Sequence, residues 1–134
     1  MPTSRLIDAW NTKDPARVVA LYAPDGVRHQ FAYPETHLDG HDAIGQMVAA
    51  LMHSTPNFAL TERSFISAGN RQAIQWAWDG NIESDLGDLP GHGQEVHLNG
   101  TSVVELSDGL ITLENVYWDT ATLLIGAGLL TAGA

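Results

Sequence analysis

Glu114-Asn115-Val116-Tyr117-Trp118-Asp119, reached through Ser107-Asp108-Gly109-Leu110-Ile111, decides how this chain is read. Asp-Gly between two alternating runs is a strong hairpin signal, because the favoured two-residue turn needs positive φ at both central positions. Working back from that turn, the apolar period is 2 over Glu95 to Leu106, Gln72 to Ile82 and Leu60 to Ala68. With Leu110 to Trp118 these runs predict four long strands. Gly69-Asn70 supplies a second hairpin turn, and Ser84 to Gly93, with Gly87, Pro90, Gly91 and Gly93, a longer flexible connection.

Upstream of Leu60 the period is that of a helix. Leu6, Ile7, Trp10, Val18, Leu21 and Tyr22 recur mostly at three- and four-residue spacings, interrupted between Asn11 and Pro15, where Asp14 can cap and Pro15 can open a second helix. Ala23-Pro24-Asp25-Gly26 reads as a turn, Val27 to Phe31 as a short strand and Tyr33 to Gly40 as a loop. His41 to His53 places Ile44, Met47, Val48 and Leu51 on one face and predicts a third helix, ending before Ser54-Thr55-Pro56. Helices first and an antiparallel meander afterwards means α+β, with three helices of the N-terminal half packed on one face of a curved sheet.

Composition bounds the function. The 134 residues fit a single domain, 1–134, that buries roughly two-thirds of the surface its unfolded chain exposes. Six Lys and Arg against sixteen Asp and Glu leave a net charge of −10, which repels phosphate backbones and anionic lipid; no nucleic-acid or membrane partner is expected. The absence of cysteine removes disulfides, thiolate catalysis and cysteine metal sites. Met1 to Arg5 lead into an amphipathic pattern without an apolar signal region, which predicts a cytoplasmic location. The apolar stretch Ala121 to Ala134 is too short to span a bilayer, which takes about twenty residues, and is expected to pack as a C-terminal segment.

Four groups of residues, in their order along the chain, resemble the SnoaL-like polyketide cyclases of the nuclear transport factor 2-like superfamily, which includes ketosteroid isomerase and limonene epoxide hydrolase. They are Tyr22-Ala23-Pro24-Asp25-Gly26-Val27, Gly40-His41-Asp42-Ala43-Ile44, Gly100 through Ile111, and Tyr117-Trp118-Asp119 with Leu123-Leu124 beyond. The resemblance spans nearly the whole chain. It implies a cone whose concave sheet face and helices enclose one pocket, and a homodimer formed through the outer sheet face, where His97, Asn99, Thr101 and Val103 would lie.

Strand alternation then sorts the lining. If Val116 faces inward so do Glu114 and Trp118, beside Leu98, Gly100, Ser102 and Val104 and beside Ile74, Trp76 and Trp78. That set is apolar and aromatic with few polar groups, as small-molecule sites are. The chain also departs from the family. The catalytic Asp that the resemblance would place three residues before the closing Asp119 is Val116 here, and Trp76-Ala77-Trp78 stands where the epoxide hydrolases carry an Arg-x-Asp pair. Asp119 itself reads as a cap of the C-terminal segment or as an acid.

Two residues can carry a proton instead. Glu114 lies two residues before Val116 on the same face, and a desolvated carboxyl group suits general acid–base chemistry; the alternative is a solvent-exposed Glu near a strand end. His29 can both accept and donate protons near neutral pH, or serve as a surface or packing histidine, because strand twist leaves its face open. Its neighbours Arg28 and Gln30 point to the opposite face and match, by the resemblance, the water-binding Tyr and Asn of the epoxide hydrolases. His37, His41, His53 and His97 have no metal-ligand spacing, so no metal is expected.

The expected function is a cofactor-independent isomerase, cyclase or dehydratase acting by proton transfer on a small hydrophobic, carbonyl-bearing or polycyclic substrate. His29 and Glu114 are the candidate catalytic residues. Gln30, Tyr33, Trp76, Trp78, Ser102, Val116 and Trp118 are the candidate substrate-binding residues. The competing expectation is a non-catalytic binding or dimerisation domain in which Val116 marks lost chemistry.

Overall fold

In chain order the elements are α1 (Arg5–Asn11), α2 (Pro15–Val19), β1 (Tyr22–Gln30), β2 (Thr36–Asp39), α3 (Gly40–Ser54), β3 (Ala59–Ala68), β4 (Arg71–Ile82), β5 (Gln94–Ser107), β6 (Leu110–Trp118) and α4 (Thr120–Gly126). The computed structural model describes residues 4–32, 35–126 and 128. The strands form one six-stranded mixed sheet in the order β2-β1-β6-β5-β4-β3, in which β1 runs parallel to β6 and every other pairing is antiparallel. This is the α+β cone expected from the sequence.

Local chemistry explains the elements. Ser4 caps α1 by accepting from the Ile7 amide, and Asp14 caps α2 by accepting from the Ala16 amide at 3.0 Å, with Pro15 pre-set at the first helical position. Ile44 and Val48, four residues apart on α3, are wholly buried, and each such side chain contributes about 1.5–3 kcal/mol relative to exposure. Asp108 (φ 52°) and Gly109 (φ 79°) both adopt the left-handed conformation that joins β5 to β6.

Three boundaries differ from the sequence reading. Ala23-Pro24-Asp25-Gly26 is no free turn but part of β1, which leaves register against β6 between Tyr22 and Val27. The turn residues are used as a bulge: Pro24 donates no ladder bond, and a Cβ on Gly26 would come 2.8 Å from the Ile111 carbonyl oxygen, so only glycine permits the approach. The loop after Phe31 contains β2, a short edge strand paired antiparallel with β1 from Gln30↔Thr36 to Val27↔Asp39. Its four residues carry too little pattern to be legible. Finally, Leu21 and Tyr22 do not extend α2, which ends at Val19; Tyr22 opens β1 instead.

The C-terminal segment begins as α4, capped by Asp119, whose carboxylate accepts from the Thr122 amide at 3.1 Å and from the Thr122 hydroxyl at 2.5 Å. Those bonds hold the Asp119 carboxyl below its usual range. No helix among the described residues is long and apolar enough to cross a membrane.

Candidate active site

The concave face of the sheet, α1, α3, α4 and the connection between β4 and β5 enclose a cavity of about 660 Å³. Register determines its lining. Trp78 pairs with Leu98, Trp76 with Gly100 and Gly100 with Trp118, while Ile74, Ser102 and Val116 form the next inward row. Gly100 is required where it stands, since a Cβ there would sit 2.3 Å from the Trp76 ring. The indole lies in the space thus left and donates from Nε1 to the Ser102 hydroxyl at 3.2 Å. Trp78 stacks on Phe58 at 4.2 Å and takes the edge of Trp10 at 5.8 Å.

A polar centre interrupts this apolar wall where β1 meets β6. Arg28 is the direct parallel partner of Glu114, so both side chains leave the sheet on the inner face, and Nε of Arg28 lies 3.3 Å from Oε1 of Glu114. The Tyr22 hydroxyl donates to the same oxygen. Nη1 of Arg28 donates to the Gln30 side-chain oxygen at 3.3 Å. Tyr22, Arg28 and Glu114 are 1%, 5% and 2% exposed, so the charges compensate each other away from bulk water. Burial pushes the Tyr22 phenol well above its usual range, reinforced by the adjacent carboxylate, so it stays protonated and acts as a donor. Both contacts fall on Oε1. Arg28 also acts on the Tyr22 hydroxyl, and no hydrogen bond from a described residue falls on Oε2 of Glu114.

The structure divides the residues singled out in the sequence. Gln30, Trp76, Trp78, Ser102, Glu114 and Trp118 all line the cavity. Val116 is wholly buried in the core beside them without lining it. Tyr33 lies outside the described residues. His29 is a correction: it projects from the outer face, where its Nε2 meets Glu35 at 2.6 Å and its ring stacks on Phe31 at 4.0 Å. The parallel pairing of β1 with β6 turns Arg28 and Gln30 inward, and alternation then sends His29 outward. His29 and Glu114 therefore occupy opposite sides of the sheet.

Sequence reasoning undervalued Tyr22 and Arg28. Arg28 was legible only as the inward alternative to His29, and Tyr22 looked like the end of a helical stripe. The other histidines are dispersed: His37 faces Asp39 at 3.1 Å, His41 meets the Tyr22 carbonyl at 2.8 Å, and His97 pairs with Asp79 at 2.5 Å. No cluster that could hold a metal ion occurs among the described residues.

A curved mixed sheet and its helices enclose an apolar cavity, the architecture of nuclear transport factor 2-like proteins. The chain belongs to the SnoaL-like polyketide cyclase family, whose model matches residues 3–125. AclR of Streptomyces galilaeus, a candidate hydroxylase, superposes with a TM-score of 0.82 at 16% identity, over 95% of this chain and 82% of its own. A ketosteroid isomerase-like protein of Catenulispora acidiphila, solved with trimethylamine, gives 0.78 at 20% identity over 96% of both chains. An epoxide hydrolase of the limonene type from M. tuberculosis gives 0.72 at 17% identity, over 92% of this chain and 84% of its own. These likenesses establish the fold. No curated protein sequence matches the chain.

Proposed function

We propose that the protein is a cofactor-independent enzyme that moves a proton within a small hydrophobic, carbonyl-bearing substrate, as an isomerase, cyclase or dehydratase. The observation that carries this reading is the division of labour inside the Glu114 carboxylate. Tyr22 and Arg28 hold Oε1, which fixes the side chain, while Oε2 is left for a ligand.

Chemistry follows from the geometry. A substrate carbonyl oxygen placed against Nη2 of Arg28 sets the adjacent C–H toward Oε2 of Glu114. Oε2 takes the proton, the C–H electrons form the enolate, and the negative charge gathers on the oxygen facing the guanidinium. Return of the proton from Glu114 to another carbon completes an isomerisation; attack of the enolate on a second carbonyl, whose new alkoxide takes that proton, completes a cyclisation; loss of a β-hydroxyl, which leaves as water with that proton, completes a dehydration. Trp76, Trp78 and Trp118 exclude water and present flat walls, and Gln30 and Ser102 add polar contacts beside the reacting oxygen.

Deuterium exchange into 2-tetralone, a bicyclic ketone with an acidic C–H beside its carbonyl, tests the reading by NMR in D2O. Exchange above the buffer rate that falls at least about a hundredfold in Glu114→Gln supports it. Binding without exchange favours the second reading, a non-catalytic ligand-binding domain, to which Val116 at the position of the family's acid already points. In the same proposal the outer sheet face pairs two copies of the chain, with Phe31 and Tyr117 stacked at 4.9 Å and 42% and 46% exposed there. Sedimentation equilibrium of Phe31→Ser/Tyr117→Ser, monomeric where the parent is dimeric, is the corresponding test.

A further inference from the structure

All four tryptophans of the chain, Trp10, Trp76, Trp78 and Trp118, line this cavity, and Trp76 and Trp118 also border a shallower pocket with Arg63, Gln75 and Tyr117. A core built only for packing has no need to gather every indole it owns at one void. Indole faces are the strongest side-chain attractors of cations, because the ring quadrupole is negative above its plane. The charges around the cavity point the same way. Of the described lining residues three are ionised, and Arg28 and Glu114 compensate each other at 3.3 Å. The remaining one is Asp88, an exposed carboxylate at the rim that engages no described residue. The lining therefore carries one uncompensated negative charge, in a protein whose net charge is −10.

Asp88 is held in place by its local structure. Leu86 and Leu89 exchange both backbone hydrogen bonds, at 2.9 and 3.0 Å, around the two-residue turn Gly87-Asp88, with Gly87 at φ 57°. Leu86 and Leu89 face the cavity together with the turn. The base of the same connection is closed by Gly93 donating to Ile82 at 2.7 Å and by the Asp85 carboxylate accepting from Gly91 at 2.9 Å. The segment is thus a compact, self-bonded loop that presents an anion to the cavity rim.

We infer that the cavity selects hydrophobic cations: its ligand carries a protonated amine, seated among the indoles and the Asp88 carboxylate, on an apolar body. This inference rests on the reading of the cavity as the substrate site and names the substrate class. An amine-bearing ketone meets both ends of the lining, its carbonyl at Arg28 and its ammonium at the rim.

The test is isothermal titration calorimetry with three probes of one shape: naphthalen-2-ylmethylamine, naphthalen-2-ylmethanol and 2-naphthoate, at pH 7 and low salt. The amine is expected to bind roughly three- to tenfold more tightly than the alcohol, with the carboxylate weakest. Asp88→Asn should remove most of that preference while leaving the alcohol unaffected. Equal affinities, or tightest binding of 2-naphthoate, overturn the inference, and an amine preference that survives Asp88→Asn overturns the role of Asp88. In each of those cases exchange into 2-tetralone still stands as a separate result. Failure of all three probes to bind, together with absence of exchange, overturns the substrate-site reading itself.

Discussion

Replacing Arg28 by Met keeps most of the side-chain volume but leaves Glu114 buried without its cation. Their side chains are 6% and 3% exposed and 3.3 Å apart, so solvent cannot substitute for the lost partner. At an effective dielectric constant of about 20 the direct attraction at that distance is about 5 kcal/mol, part of which offsets the desolvation of both groups. Removing one member of such a pair costs about 3–5 kcal/mol, a large share of the roughly 5–15 kcal/mol by which a domain is stable. For a chain of this size that corresponds to a fall in Tm of about 10–20 °C. The assay is urea denaturation at pH 7 of four proteins: parent, Arg28→Met, Glu114→Gln and the double variant. The double variant should recover most of the stability lost in Arg28→Met, because no uncompensated charge remains. A cost below about 1 kcal/mol for Arg28→Met, typical of an exposed pair, would refute the buried polar centre.

Other perturbations give separable outcomes. Gly100→Ala drives a methyl group into Trp76 and should cost about 1–3 kcal/mol and shift the indole emission; unchanged stability and fluorescence would contradict the packing described. Tyr22 gives a sign for alkaline pH. Its folded phenol stays protonated above the usual 10.0, so its contribution is full below pH 10 and is lost as pH rises beyond that, by about 1.4 kcal/mol per pH unit; this slope should be absent in Tyr22→Phe. His29→Ala should leave 2-tetralone exchange unchanged, since His29 faces away from the cavity; a large loss would mean that a proton path crosses the sheet.

The long strands and their turns were legible because period-2 alternation and Asp-Gly act locally. The inward set from Ile74 to Trp118 followed from the same alternation, once hairpin register linked the strands. What failed lay where partners distant in sequence decide. Ala23 to Gly26 has the composition of a turn, yet pairing of the flanking Tyr22 with Ile111 and Val27 with Leu113 draws the segment into β1 as a bulge. His29 was attractive by chemistry alone, while its face was set by a parallel pairing between residues 22–30 and 111–116, which no local pattern announces. The same pairing assembled Tyr22, Arg28 and Glu114 from positions that look unrelated in the chain. β2, four residues at a sheet edge, was too short to show a period.

The most direct measurement is a crystal structure of the protein soaked with 2-tetralone. The account predicts the ketone inside the indole-walled cavity, its oxygen within hydrogen-bond distance of Arg28 Nη2 and its acidic carbon facing Glu114 Oε2. A ketone bound with its carbonyl away from Arg28, or seated only on the outer face of the sheet, would contradict the assignment of Glu114 as the proton-transferring group.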